Sequence, residues 1–484
     1  MSLTITQTPK YLLVPAYSQI IFAVKDLNSV VNKFNVQYIA KLRLSNDRSN
    51  LNQSTEIAKL KTTPNSKGVG IFDFSNIIQS FVESDNLGGV VGINSPVNNS
   101  FSQYKTDDFN TNPHSIHIID KFAANQNSVR VFEIHFKIQF SDTQTGTVVE
   151  QTGVKKSQKF FVYNGTLQEE DVLVRDSSGN YGYNLDANKY ILNNTDRKFL
   201  TNCPTTIEIR NNDYHTLAFF NNLDTINFSV GSVLSNKTIQ SIVFTFFDDI
   251  NGQGTTLGTD TITNTPANGG NNTNSTDTNS RLIFVGAGMA NFQNRSLSAS
   301  LLAAKSYTAK ALDDQGITVS QTYTFNVISD DCKGFETIRL TWLNRLGAWD
   351  YYTFTKKNIR SIQTNRTSYQ QISGFYNEEK FISHGYHGGK KTFNTNSIEK
   401  LTLNTDFVNE EEATWLEELF TSPEVYILNS FSDANEVLFG NVKKYVQPVT
   451  VTSSTYTRKT SANDKLLQYT VEVERTKQRV IQNA

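Results

Sequence analysis

Residues 34–44 read FNVQYIAKLRL and residues 131–140 read VFEIHFKIQF. In the first, Phe34, Val36, Tyr38, Ala40, Leu42 and Leu44 share one face, while Asn35, Gln37, Lys41 and Arg43 take the other. In the second, Phe132, Ile134, Phe136, Ile138 and Phe140 alternate with Glu133, His135, Lys137 and Gln139. A strict period of two suits only strands with one dry and one wet face, the pattern of antiparallel sheets. The rest of the composition points the same way. The chain carries 32 Phe and 20 Tyr against 2 Met in 484 residues. Aromatic and β-branched residues separated by Asn, Thr and Ser favour strands joined by turns. The expected fold is mainly β, in about three antiparallel sandwich-like domains for a chain of this length.

The organisation expected along the chain is an N-terminal β domain over 1–165, a middle sandwich over 166–331 and a C-terminal β domain over 332–484. In the first, FDFSNIIQSFVE predicts a short helix over 75–83 with Ser75 as its N-cap. Residues 84–113 lack periodicity but hold Leu87, Val90 and Phe101, so this long loop has apolar groups to order against another chain. In the middle region IQSIVFTFFDD and TYTFNVI read as strands. The tract 263–280 between them is almost free of apolar residues and is expected to stay mobile. The third region opens with FETIRLTWLN, where Ile338, Leu340 and Trp342 point inward and Thr337, Arg339 and Thr341 outward. A second helix is predicted over 409–421. Asn409 and Glu412 form a capping box there, Trp415, Leu416, Leu419 and Phe420 its buried stripe, and Pro423 its stop.

One cluster bears on function. LTWLNRLGAWDYYTF, residues 340–354, holds two of the three tryptophans and a pair of adjacent tyrosines. Trp342 alternates with Leu340 and belongs to a core. Trp349 follows a turn over 344–347, and one of Tyr351 or Tyr352 must face away from that core because strand neighbours point to opposite faces. Arg345, Trp349 and one of these tyrosines are therefore interface candidates, together with Leu87, Val90 and Phe101 of the long loop. Tyr and Trp are enriched where proteins meet.

Chemistry is hard to find. The formal charge is −1, so there is no global attraction to nucleic acid or to an anionic membrane. Between Glu336 and Lys391 nine basic residues face four acidic ones, which a solvated sheet face explains as fully as a phosphate-facing surface. Cys203 and Cys332 are too few for a disulfide framework or a four-cysteine zinc site. HGYHGGK places His384 and His387 near each other, but no neighbouring Cys or Asp completes a metal site. Nucleophile-elbow, zincin, phosphate-loop and dinucleotide motifs are absent. No catalytic, cofactor-binding or metal-ligating residue is assigned. The opening MSLTITQTPKYLLVPAYSQ lacks the layout of a secretion signal, which predicts a product that stays in the cytoplasm where it is made.

FETIRLTWLNRLGAWDYYTF followed by the capped WLEELFTSPEV helix, and in the first region an Ala-Lys-Leu-Lys strand running into Pro64-Asn65 and GVGIFDFS, resembles structural proteins of tailed bacteriophages infecting Bacteroidota, including crAss-like phages. The resemblance is one of pattern and covers about half the chain. It implies a non-enzymatic virion component, assembled in the host cytoplasm, that forms a homo-oligomeric ring or connector in the tail or neck. Its implied partners are further copies of itself and other tail or neck proteins. The alternative is a host-glycan-binding or glycan-cleaving tail or baseplate protein.

Overall fold

The two alternating stretches are the long paired strands of one sheet. In a computed structural model, Phe34–Ser45 runs antiparallel to Val129–Ser141, with Tyr38 opposite Ile138, Ala40 opposite Phe136 and Leu42 opposite Ile134. All six of these side chains are buried. The opposite face is wet and charged: Glu150 accepts hydrogen bonds from Lys137 (2.8 Å) and Lys59 (3.1 Å), and these hold its carboxyl at about 2. The structure describes residues 3–45, 54–82, 121–125, 128–175, 177–185, 187–221, 239–265, 281–295, 297–328, 336–428, 446–453 and 467–476. Most of both predicted loops lies outside these residues, and so do Leu87, Val90, Phe101 and Cys332.

The fold is mainly β, with several sheets and few short helices. It forms two units. The first comprises residues 1–329 with 344–350, and the second 330–343 with 351–484. The expected boundary near 331 falls where the units part. The one at 165 lies inside the first unit, because neighbouring segments interlock across it. Phe122–Asn125 pairs not with its neighbours in sequence but with Arg281–Gly286. Ser18 Oγ accepts from the Leu167 N–H (3.0 Å), and the Ile21 N–H donates to Tyr183 Oη (3.2 Å).

Two of the aromatic clusters among the described residues of the first unit bear on its core. Phe22 packs against Phe74, Phe136 and Phe160 with ring centres 5.4–6.1 Å apart. The other is built on Ile239–Phe247 and Ser306–Asp313, where Phe244, Phe246 and Tyr307 converge on Phe292 at 5.0–5.2 Å. Phe292 sits on a helix, Met289–Asn294, that the sequence does not announce. The sheets are not purely antiparallel: Phe160–Tyr163 lies parallel to Leu13–Pro15, and Thr206–Arg210 parallel to Tyr323–Ile328.

The predicted 75–83 helix is a single turn, Ser75–Ile78, followed by a tighter turn, Gln79–Phe81. Ser75 is its first residue rather than its cap. Asp73 does the capping, its Oδ1 accepting from the Ser75 N–H at 3.0 Å.

The second unit holds a seven-stranded sheet ordered Trp349–Phe354, Ile338–Leu343, Val425–Leu428, Val446–Val451, Thr470–Arg475, Gly389–Asn404 and Ile359–Gln371. The helix Glu410–Thr421 covers part of it. Its capping box is present: the Glu412 N–H donates to Asn409 Oδ1 (2.8 Å) and the Asn409 N–H to Glu412 Oε2 (2.9 Å). Trp415, Leu416 and Leu419 are buried beneath it, while Phe420 is only half-buried.

Candidate interaction arm

The sequence offers its 340–354 aromatics as a contact surface. The structure puts most of them inside. Trp342 is fully buried, with its ring centre 5.2 Å from that of Trp415. All six residues of Ile338–Leu343 are buried, so the expected wet face of that strand does not exist. Arg339 instead lies over the Tyr351 ring (5.2 Å to its centre) and donates to Thr353 Oγ1 (2.7 Å). A cation with a ring and a hydroxyl for company tolerates a buried face.

Beyond this strand the turn belongs to the first unit. Asn344 organises it: its Oδ1 accepts from the Leu346 and Ala348 N–H groups (3.0 Å each), and its Nδ2 donates to the Leu200 carbonyl (2.8 Å). Gly347 adopts φ +80°, and a Cβ there would stand 2.1 Å from the Asn164 carbonyl oxygen, so only glycine fits. Asp350, also buried, accepts from Thr201 Oγ1 at 2.6 Å.

The interface candidates are corrected accordingly. Arg345 is not presented outward but ion-paired to Asp171 at 2.9 Å. Trp349 is 3 % exposed and Tyr351 likewise 3 %. Tyr352 is half-buried, its ring edge-on to Phe354 (5.0 Å) and 6.2 Å from Trp415. A turn knitted into a neighbouring part of the fold hides side chains that strand alternation alone would place outside.

Asp171 also accepts from Lys189. Burial pushes its carboxyl up, but the hydrogen bonds and charges of Lys189 and Arg345 outweigh that and hold it below the usual carboxylate value. A carboxylate lowered on folding contributes stability that is present above its unfolded pKa of about 3.9 and is lost as pH falls through the lower folded value. The first unit should therefore weaken on acidification below about pH 4. Asp171→Asn should lower the urea midpoint at neutral pH and flatten its decline between neutrality and pH 3; an unchanged profile would count against the role given to this pair.

What the chain does present is elsewhere. Ile359–Gln371 and Gly389–Asn404 form a long antiparallel hairpin with Ser361 opposite Lys400 and Gln371 opposite Gly389. Gly389–Asn404 pairs with Thr470–Arg475 only from Lys400 onward, so beyond that point the hairpin leaves the sheet as a two-stranded arm. Thirteen residues at about 3.3 Å each give an edge of about 40 Å. Twelve of those thirteen are exposed. The end of the arm carries Ile372 (74 % exposed), Phe375, Tyr376, Phe381, Tyr386 (72 %) and Phe393.

These end groups are ordered among themselves. His384 stacks on Tyr386 with centres 5.4 Å apart and planes 5° from parallel, and His387 lies 4.3 Å from Tyr386 and 5.5 Å from Phe375. The glycines of HGYHGGK shape the turn: Gly388 and Gly389 have φ of +89° and +79°, and a Cβ on Gly388 would meet the Ser373 backbone at 2.6 Å. The two histidines are thus ring-stacking partners, and no group of three or more His, Cys, Asp or Glu among the described residues could hold a metal. No helix among the described residues is long and apolar enough to cross a membrane. The signals for the arm were the local basic excess and this glycine-rich heptapeptide; the pairing that makes them one structure was not visible.

With this geometry in hand, the chain is a mainly β, two-unit protein that bears an exposed aromatic arm. No protein-family model matches it, and no curated protein does either. Among solved structures it is similar to Salmonella alpha-2-macroglobulin reacted with methylamine, at 7 % identity and a TM-score of 0.19 over 97 % of this chain and 22 % of that one. It is also similar to E. coli alpha-2-macroglobulin in its native conformation, at 8 % identity and 0.18 over 83 % and 22 %. The chain spans about a fifth of the length of those structures. At such scores the likeness bears on neither fold nor function.

Proposed function

We propose that this protein is a non-enzymatic structural component of a tailed-phage virion, forming a homo-oligomeric ring or connector in the tail or neck. The arm supports that reading most. A two-stranded ribbon about 33 Å long beyond the Ser361–Lys400 pair, with aromatics at its end, leaves apolar surface in water, and soluble monomers rarely expose such patches without a partner. Its outer strand has backbone groups on one side that pair with no strand among the described residues. Such an edge invites pairing with another chain unless a neighbour covers it. An assembly subunit supplies that neighbour, whereas a solitary enzyme gains nothing from the exposure.

The test is the state of the purified full-length chain, by sedimentation velocity and negative-stain imaging. A closed ring of defined size is expected. A monomer at every concentration would overturn the reading, and so would turnover of host polysaccharide that a single Asp or Glu substitution abolishes, which would favour the glycan-cleaving alternative. A shortened arm gives a sharper result. Thr364 and Ser397 face each other across the hairpin, so replacing residues 365–396 by Asn-Gly closes it with a two-residue turn. That variant should melt within about 2 °C of the parent, because the deleted segment adds little to the core, and should fail to assemble.

A further inference from the structure

The arm has a chemically matched surface on the same unit. Its outer part carries Arg366, Lys380, Lys390 and Lys391, all exposed and none ion-paired among the described residues, against Glu378 and Glu379 at its turn. Closer to the sheet, Arg360 is taken up by Glu336 (2.5 Å) and Glu399 (3.8 Å). The helix Glu410–Thr421 has five glutamates and no basic residue. Glu412 closes the capping box, while Glu410 and Glu411 are exposed and Glu417 and Glu418 half-exposed. Phe407, just before the helix, is 61 % exposed and offers an apolar contact beside the acidic face.

The chain's own arm does not cover this face, since its residues remain exposed. The helix is seated on Ile338–Leu343 through Trp415 and Trp342, second in the sheet order, whereas the arm springs from the seventh strand. The charged part of the arm lies outward along the hairpin, beyond Arg360, whose pair with Glu336 sits beside the start of the helix-bearing strand. Two different, complementary surfaces on one copy give a head-to-tail contact, and head-to-tail contacts close into rings when the rotation allows.

We infer that the arm of one copy docks on the acidic outer face of the Glu410–Thr421 helix of a second copy, its lysines and arginine against Glu411 and Glu417 and its aromatics beside Phe407. The inference rests on the ring reading and names the contact that builds it. The contact is charged and partly exposed, so it weakens as salt shortens the screening length below about 8 Å.

Charge reversal on the full-length chain tests it. Sedimentation velocity is run on the parent, on Lys390→Glu with Lys391→Glu, on Glu411→Lys with Glu417→Lys, and on the chain carrying all four, each first shown by its melting temperature to be folded. The expected result is loss of assembly in both double variants, at a concentration where the parent is assembled, and its recovery in the quadruple variant. If the parent assembles and either double variant does too, the arm–helix contact is overturned while the ring reading stands. Loss in both doubles without recovery in the quadruple also overturns it. A parent that never assembles overturns both.

Discussion

Trp342→Ala lowers the stability of the second unit by about 3–5 kcal/mol, the range for an aromatic deleted from a packed core. Trp342 is fully buried on a strand whose six residues are all buried, with Val425 paired beside it and the Trp415 ring 5.2 Å away. Trp415 is itself the residue that seats the capped helix, so the cavity opens beneath the helix as well as within the sheet. The surrounding strands cannot collapse to fill it without breaking their ladders. For a unit of this size the loss corresponds to a melting transition lower by roughly 10 °C. Chains of two units unfold in separable steps where the units are independent. Scanning calorimetry should therefore show one transition moving and the other holding. Trp342→Phe, which keeps a ring against Trp415, should recover most of the loss. An Ala variant that melts with the parent would remove Trp342 from the core.

What could be read in the sequence followed from whether burial is decided locally. Phe34–Ser45 and Val129–Ser141 were legible because one face of each meets water and the other does not, so hydrophobicity alternates as the chain does. The Glu410–Thr421 helix was legible because its cap and its Pro stop are written in neighbouring residues. Ile338–Leu343 misled because Arg339 and Thr341 look solvent-facing, yet their faces are covered by tertiary neighbours, Tyr351 among them for Arg339. The arm was hidden for the opposite reason. IRSIQTNRTSYQQ is polar on both faces since neither is buried, and strand detection by periodicity presumes a dry face. Its partner strand begins 18 positions later, which no local signal links to it.

The same distinction reverses the expectation for Trp349, one of the interface candidates in the sequence. Taken as an outward ring, its removal would leave a folded chain that assembles poorly. The structure gives it 3 % exposure and assigns it to the first unit, at the strand start that follows the turn held by Asn344 and Gly347 and beside the Asp350–Thr201 hydrogen bond. Little surface remains for a second chain to cover, so almost no association energy can reside there. Trp349→Ala should then cost about 3–5 kcal/mol of stability, seen as a transition lower by roughly 5 °C or more in a unit this large. Sedimentation at temperatures well below that transition should match the parent. The shortened arm predicts the converse pairing, intact melting with lost assembly, so the two variants together separate core from contact. Should Trp349→Ala keep its melting temperature and lose assembly, the turn would have to open on association and present the ring after all.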